Sequence, residues 1–163
     1  MEKELALPIV ICVLVQNNKI LFIKRKKGDY IGLWGLPGGK IEKEEYLSEA
    51  SEREILEEVG IMAKFEKFLG LVSEHLVEKG KILKHFLLYL CQLSPQSFQP
   101  SCKGEEESRW FDLQEIEKKK KEIIPSDFLM IEKIIKNKEG VYYNCIIEKI
   151  NDNFVLREFK RRG

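Results

Sequence analysis

Residues 37–61 read Pro37-Gly38-Gly39-Lys40-Ile41-Glu42-Lys43-Glu44-Glu45-Tyr46-Leu47-Ser48-Glu49-Ala50-Ser51-Glu52-Arg53-Glu54-Ile55-Leu56-Glu57-Glu58-Val59-Gly60-Ile61. Leu47–Val59 is rich in Glu, Leu, Ala and Arg and lacks proline, so it predicts a helix, stopped by Gly60 at a C′-like position. Glu54, Glu57 and Glu58 then stand at i, i+3 and i+4 and project from one face. Like charges crowded in this way destabilise a helix unless a cation sits among them. A hard, oxygen-seeking divalent ion such as Mg²⁺ is the natural guest, with Mn²⁺ as the alternative. Arg53 lies beside the cluster, placed to hold one carboxylate. Pro37-Gly38-Gly39 predicts a tight bend that turns a main-chain carbonyl towards the same ion.

Outward from this stretch the chain alternates strand and turn signals. Leu7–Gln16 is apolar and β-branched, Asn17-Asn18 marks a turn, and Ile20–Lys24 resumes the strand pattern, which predicts a hairpin. Lys26–Gly35, with Gly28, Gly32 and Gly35, reads as a loop. Beyond the helix, Ala63–Ser73 and Ile82–Leu93 read as strands joined around Glu78–Lys81, and Ser94–Gly104 as a loop. Arg109–Asp112 predicts a short strand and Leu113–Lys120 a short helix. Pro125-Ser126-Asp127 opens a helix running to Ile135, with Ser126 or Asp127 as its N-cap. Val141–Lys149 and Phe154–Phe159 alternate across Asn151-Asp152-Asn153 and predict a closing hairpin. Strands surrounding two substantial helices define the α/β class with a mixed sheet.

Composition narrows the partners. At 163 residues the chain fits one domain, residues 1–163. Lys+Arg at 28 against Asp+Glu at 27 leaves a net charge of +1, which gives no case for duplex nucleic acid or a membrane surface. The Lys118–Lys121 run and the Lys160-Arg161-Arg162 tail read as solvated. Cys12, Cys91, Cys102 and Cys145 are scattered without zinc-type spacing, and Cys12, Cys91 and Cys145 fall in apolar runs as reduced core residues. The opening Met1-Glu2-Lys3-Glu4 lacks a signal pattern, and no apolar run approaches the roughly 18 residues of a membrane span. The expectation is a cytoplasmic protein, monomeric or homodimeric.

Gly39, Glu45, Arg53-Glu54-Ile55, Glu57-Glu58, Gly60 and Ile61 together match the pattern Gx5Ex7REUxEExGU, with U aliphatic, at every specified position. Seven fixed positions coincide by chance on the order of once in 10⁵ chains of this kind. The stretch resembles the Nudix box, with the box at 39–61 and the closing hairpin, about 140–160, as an extension. The resemblance implies a Nudix-type α/β/α sandwich with a mixed β-sheet, plus the C-terminal β-hairpin. It also implies hydrolysis of a phosphoric anhydride, which requires water placed in line with phosphorus while negative charge spreads over oxygens. Carried over, Glu54, Glu57 and Glu58 are metal ligands joined by the Gly38 carbonyl, and Glu54 orients or deprotonates the water. Arg53 and Glu57 complete the catalytic group. Glu45 and Arg53 support the geometry through an ion pair, beside the structural glycines Gly39 and Gly60. A further metal carboxylate comes from Glu105, Glu106 or Glu107 ahead of Trp110-Phe111, with Glu105 and Glu106 preferred.

Markers of several subgroups are missing. Leu76-Val77 stand where the ADP-ribose group tends to carry proline, Val77-Glu78-Lys79 contain no tyrosine of the dinucleoside polyphosphate group, and the NADH motif SQPWPFPxS is absent. Phe22–Arg25 followed by Leu36-Pro37-Gly38-Gly39 resembles MutT-like oxidised-purine diphosphatases. That likeness assigns Arg25, Leu36 and Asp127 to the substrate, with Asp127 accepting hydrogen bonds from the N–H edge of a guanine-type ring. The competing role for Asp127 is capping its helix, and Trp34 and Leu36 serve either the base or the core. The expected reaction converts a nucleoside triphosphate such as 8-oxo-dGTP to monophosphate and pyrophosphate. The alternatives are another nucleoside-diphosphate-linked substrate (ADP-ribose, a dinucleoside polyphosphate, a nucleotide sugar or capped RNA) and a non-catalytic nucleotide sensor. His75 and His85 read as structural, with Lys84 or His85 the ones able to meet a phosphate.

Overall fold

In the computed structural model, which describes residues 3–97, 100 and 103–163, the first apolar run divides at Leu14 between two sheets. β1 (Leu7–Val13) lies parallel to β7 (Lys81–Pro95) and antiparallel to β5 (Gly38–Lys40). β2 (Val15–Gln16) turns through Asn17 and Asn18, at φ 53° and 59°, into β3 (Lys19–Lys24). The expected hairpin therefore spans only two residue pairs. Val10, Cys12 and Leu14 are buried on one side and Ile11 and Val13 on the other. A run apolar on both faces belongs inside a covered sheet with a parallel neighbour, and that preference overrides the hairpin.

The larger sheet has six strands in the order β10–β9–β6–β7–β1–β5, where β6 is Ala63–Glu78, β9 Tyr142–Ile150 and β10 Asn153–Arg161. β9 runs parallel to β6, so the closing hairpin extends the main sheet. In the smaller sheet β3 pairs with β2, with β4 (Trp34–Gly35) and with β8 (Ser108–Asp112). The predicted loop 26–35 thus ends in a short strand, and part of the predicted loop 94–104, with Cys102, lies outside the described residues. Cys12, Cys91 and Cys145 are buried free thiols.

Two apolar cores lie on opposite faces. One packs α1 (Leu47–Val59) through Ala50, Ile55 and Val59 against Val10, Cys12 and Leu21. The other packs Phe128, Met130, Ile131 and Ile134 against Ile11, Phe22, Val72 and Leu90. Helix, strands and helix form three layers, the mixed α/β sandwich expected. The predicted helix 125–135 begins as α2 (Pro125–Leu129) and widens into a π-helical Met130–Lys136, which keeps Met130, Ile131 and Ile134 buried. Its N-cap is Ile124, not Ser126 or Asp127, because Pro125 occupies the first turn and both polar side chains are drawn into the interior. The predicted helix 113–120 is two 3₁₀ segments, Leu113–Glu115 and Glu117–Glu122, the second carrying the like-charged lysine run.

Candidate active site

α1 carries most of the acidic groups. At its start the Glu49 carboxylate accepts from the Tyr46 amide (2.8 Å), and at its end Gly60, at φ 81°, donates to the Leu56 carbonyl (2.9 Å). Burying Ala50, Ile55 and Val59 turns Glu57 outward, while Glu54 and Glu58 lie against Gly39 and Gly38. Arg53 does more than hold one carboxylate. Its Nε and Nη2 donate to the two oxygens of Glu45 at 2.9 and 2.6 Å, and Nη1 donates to Glu54 (2.8 Å) and Glu57 (3.1 Å). Nη2 also reaches the Lys40 carbonyl at 3.1 Å. A planar fork with five N–H groups is the side chain suited to such a junction. The bond to Arg53 holds the Glu45 carboxyl below its ordinary range.

Glu58 turns inward. Its Oε2 accepts from the Gly38 amide at 3.0 Å, and burial, reinforced by the charges of Glu54 and Glu106, pushes its carboxyl up to about 8. Glu54 is also raised, by burial first, against the pull of Arg53. Gly38 and Gly39 are not a bend: they form β5, in register with Ile11 and Val10. Close approach, rather than conformational freedom, demands glycine at both. A Cβ on Gly39 would stand 2.3–2.5 Å from the Glu54 carboxylate, and one on Gly38 would stand 2.0 Å from the Val10 carbonyl.

The loop after Gly104 closes the other side. The amides of Glu105 and Glu106 donate to the carbonyls of Glu57 and Glu58 at 3.0 and 2.9 Å, satisfying groups that the helix end leaves unpaired. Glu105 and Glu106 therefore border the same cavity of about 220 Å³ as Glu54, Glu57, Glu58 and Arg25. Glu107 turns to Lys26 instead, 3.5 Å away.

From Glu54, Glu58 and Arg25 a second cleft, of about 540 Å³, runs past Gly38, Gly39 and Leu36 to Asp127 and Glu74. Among the described residues the Arg25 guanidinium makes only long bonds, to the carbonyls of Asp29 (3.3 Å) and Lys27 (3.4 Å). Asp127 is 5% exposed, and its Oδ2 accepts from the Leu36 amide at 2.8 Å. Burial pushes its carboxyl up to about 7, with Glu74 adding to the shift and Arg25 opposing it. Leu36 borders the cleft, whereas Trp34 packs edge-on against Phe111 at 5.1 Å, with the Arg109 guanidinium over its ring. Lys84 reaches the cleft and pairs with Asp29 at 2.8 Å, while His85 is bonded to Ser73 (2.7 Å) with its ring against His75.

Glu74 and Tyr30 escape sequence reading. Glu74 is 2% exposed, and its Oε2 accepts from the Tyr30 hydroxyl at 3.0 Å. Its one signal is phase: it alternates with Val72 and Leu76, both buried, along β6.

Comparison with known proteins places these features in a family. The NUDIX domain model matches residues 6–132, and the chain belongs to the Nudix family, whose members are pyrophosphatases acting on phosphoric anhydrides. Among curated relatives, the ADP-ribose pyrophosphatase of Methanocaldococcus jannaschii is 44% identical over 61 residues, covering 37% of this chain and 36% of that protein. A putative 8-oxo-dGTP diphosphatase of Bacillus subtilis is 41% identical over 61 residues, covering 37% and 39%. The chain thus spans less than half the length of these relatives. Among solved structures, the MutT protein of Bacillus halodurans shares the fold with a TM-score of 0.74 at 21% identity, covering 94% of this chain and 96% of that one.

Magnesium is typical of this family. The donor set fits it by chemistry: five carboxylates border one cavity, the oxygen-rich lining that a hard divalent cation takes. Among the described residues no three acidic side chains form a ready ligand group. Glu54 and Glu57 are turned to Arg53 and Glu58 to the Gly38 amide.

Proposed function

We propose that this chain is a divalent-metal-dependent hydrolase that converts a purine nucleoside triphosphate, of the 8-oxo-dGTP kind, to monophosphate and pyrophosphate. The observation that carries the reading is the continuity of the cleft, which joins the carboxylates of Glu54 and Glu58 at one end to the buried Asp127 at the other. A nucleotide is a ligand of that form, polyanionic at one end and hydrogen-bonding at the other. Glu54, Glu57 and Glu58, with Glu105 or Glu106 and the Gly38 carbonyl, are the groups that would hold Mg²⁺. When bound, the ion neutralises phosphate charge and lowers the barrier to displacement at phosphorus.

The chain's own residues do the rest. Arg53 fixes Glu54 and Glu57 in place through the fork on Glu45. Glu54 orients the attacking water and takes its proton as the new P–O bond forms and the bridging P–O bond breaks, releasing pyrophosphate. Arg25, with no carboxylate partner among the described residues, meets the phosphates. Leu36 borders the base, and Asp127 accepts from its N–H edge.

The test is a pyrophosphate-release screen over oxidised and ordinary nucleoside triphosphates, ADP-ribose, dinucleoside polyphosphates and capped RNA, with and without Mg²⁺. Preferred turnover of an oxidised purine triphosphate supports the reading; preferred turnover of another substrate class overturns it. The Methanocaldococcus jannaschii relative favours ADP-ribose as the second reading. Glu57→Gln and Glu58→Gln each lower turnover by orders of magnitude in a folded protein, and near-normal activity in both overturns the metal assignment.

A further inference from the structure

One side of the six-stranded sheet is only half covered. Val72, Leu76, Leu88, Leu90 and Tyr143 face the core that holds Phe128 and Ile131. The residues alternating with them on β6, β7 and β9 therefore point to the opposite side, the side of α1. The core under α1 extends over Val10, Cys12, Cys91 and Leu93. Beyond it, Leu71 and His75 of β6 stand opposite Tyr89 and His85 of β7 and beside Tyr142 and Ile146 of β9. None of these six belongs to either core. Tyr142 is 37% exposed, and Phe68, whose ring meets that of Tyr89 at 6.4 Å, is 49% exposed. The centre of this face contains no lysine, arginine, aspartate or glutamate. His75 and His85 pack ring to ring at 4.5 Å, and burial, with His75 beside it, holds His85 below its ordinary range. Charge of both signs returns at the β10 margin, in Glu148 with Arg157 (2.7 Å), in Glu158 opposite Ile146 and in Lys160 opposite Asn144.

We infer that this face docks a second copy of the chain, forming a two-fold dimer through the outer sides of β7, β6, β9 and β10. An aromatic and aliphatic centre within a charged margin is the composition of an association surface. Four strands make it about 19 Å wide and four outward residues about 27 Å long, so two copies cover about 1,000 Å² between them, the size at which specific association begins. The margin favours a like partner. A two-fold axis lets the glutamates of one copy meet the basic side chains of the other, whereas a polyanion or an anionic membrane calls for one sign. The net charge of +1 adds little repulsion between copies. Pairing through the β10 edge is opposed by the bulge between Leu156 and Glu158 and by the charges of Arg157, Lys160 and Arg161. The cleft opens on the other side of the sheet, past Ile11, Glu74 and Leu88, so such a dimer leaves it accessible whatever its substrate.

The experiment is sedimentation velocity on the whole chain. An interface of this size gives a dissociation constant in the micromolar range, so the wild type is expected to pass from 19.1 kDa to twice that mass between about 1 and 500 µM. Ile146→Lys puts a charge into the apolar centre and is expected to weaken the dimer at least about 100-fold. If Ile146→Lys does not fold, Phe68→Lys and Tyr142→Lys carry the test, because both positions already meet solvent in the single chain. Each is expected to weaken the dimer about tenfold or more, with the melting temperature held at about 1 µM, where the wild type is also monomeric. Ile31→Lys, at a position 62% exposed in the loop beside the cleft, is expected to dimerise like the wild type. A single 19.1 kDa species at every wild-type concentration overturns the inference. So do face variants that dimerise like the wild type, or an equal loss in Ile31→Lys.

Discussion

The Asp127 carboxylate accepts a 2.8 Å hydrogen bond from the backbone amide of Leu36, two residues before Gly38. The Ile124 amide donates in turn to the Trp34 carbonyl at 2.9 Å, so the approach to β5 is clipped at two points to the start of α2. The side chain expected either to cap its own helix or to read a base holds the segment before β5 against the start of α2.

This buried carboxyl makes stability depend on pH. Burial raises Asp127 from 3.8 to about 7, so between those values the folded state holds a proton that the unfolded state has lost. Stability contributed by protonated Asp127 is therefore present at low pH and declines as pH rises towards 7, by roughly 4 kcal/mol at most. Glu74 faces it with the same sign, and Arg25 opposes. Asp127→Asn, which still accepts from Leu36, is expected to flatten the fall in melting temperature between pH 5 and 8. Thermal unfolding in EDTA compares the two slopes, and parallel slopes would contradict the assignment.

Arg53→Lys keeps the charge and loses the fork. A lysine cannot satisfy both Glu45 oxygens while holding Glu54 and Glu57, so the carboxylates shift. Turnover is expected to fall about 100-fold with little change in KM, since misplacement of about 1 Å costs that much. Steady-state kinetics on the preferred substrate measures the split.

The two box glycines separate by consequence. Gly39→Ala meets the Glu54 carboxylate, the movable end of a side chain, and is expected to cut turnover while the melting temperature changes little. Gly38→Ala meets the Val10 carbonyl of the central sheet and is expected to destabilise by about 1–3 kcal/mol. Melting curves and turnover of both variants decide it.

Mg²⁺ is expected to raise the melting temperature, because an ion bound only by the folded state stabilises it by about 2.7 kcal/mol at 100 times its Kd. The shift should vanish in the double variant Glu57→Gln, Glu58→Gln. An equal shift in that variant would place the ion elsewhere.

What the sequence determined by itself is local or periodic. The helix Leu47–Val59 and its stop at Gly60 were legible because propensity and a left-handed cap are properties of neighbouring residues. Glu54, Glu57 and Glu58 were legible as a set because helical spacing alone puts them on one face. The π-helical turn after Leu129 left no comparable signal. Only the tertiary structure decided the long-range partners. It drew Glu105 and Glu106, not Glu107, to the end of α1, set Gly38 and Gly39 in a strand, and brought Tyr30 to Glu74 across 44 positions. Such contacts depend on how strands cross between sheets. Burial then changes the chemistry of Glu58, Glu74 and Asp127, since a carboxyl group's proton affinity is set by what surrounds it in space.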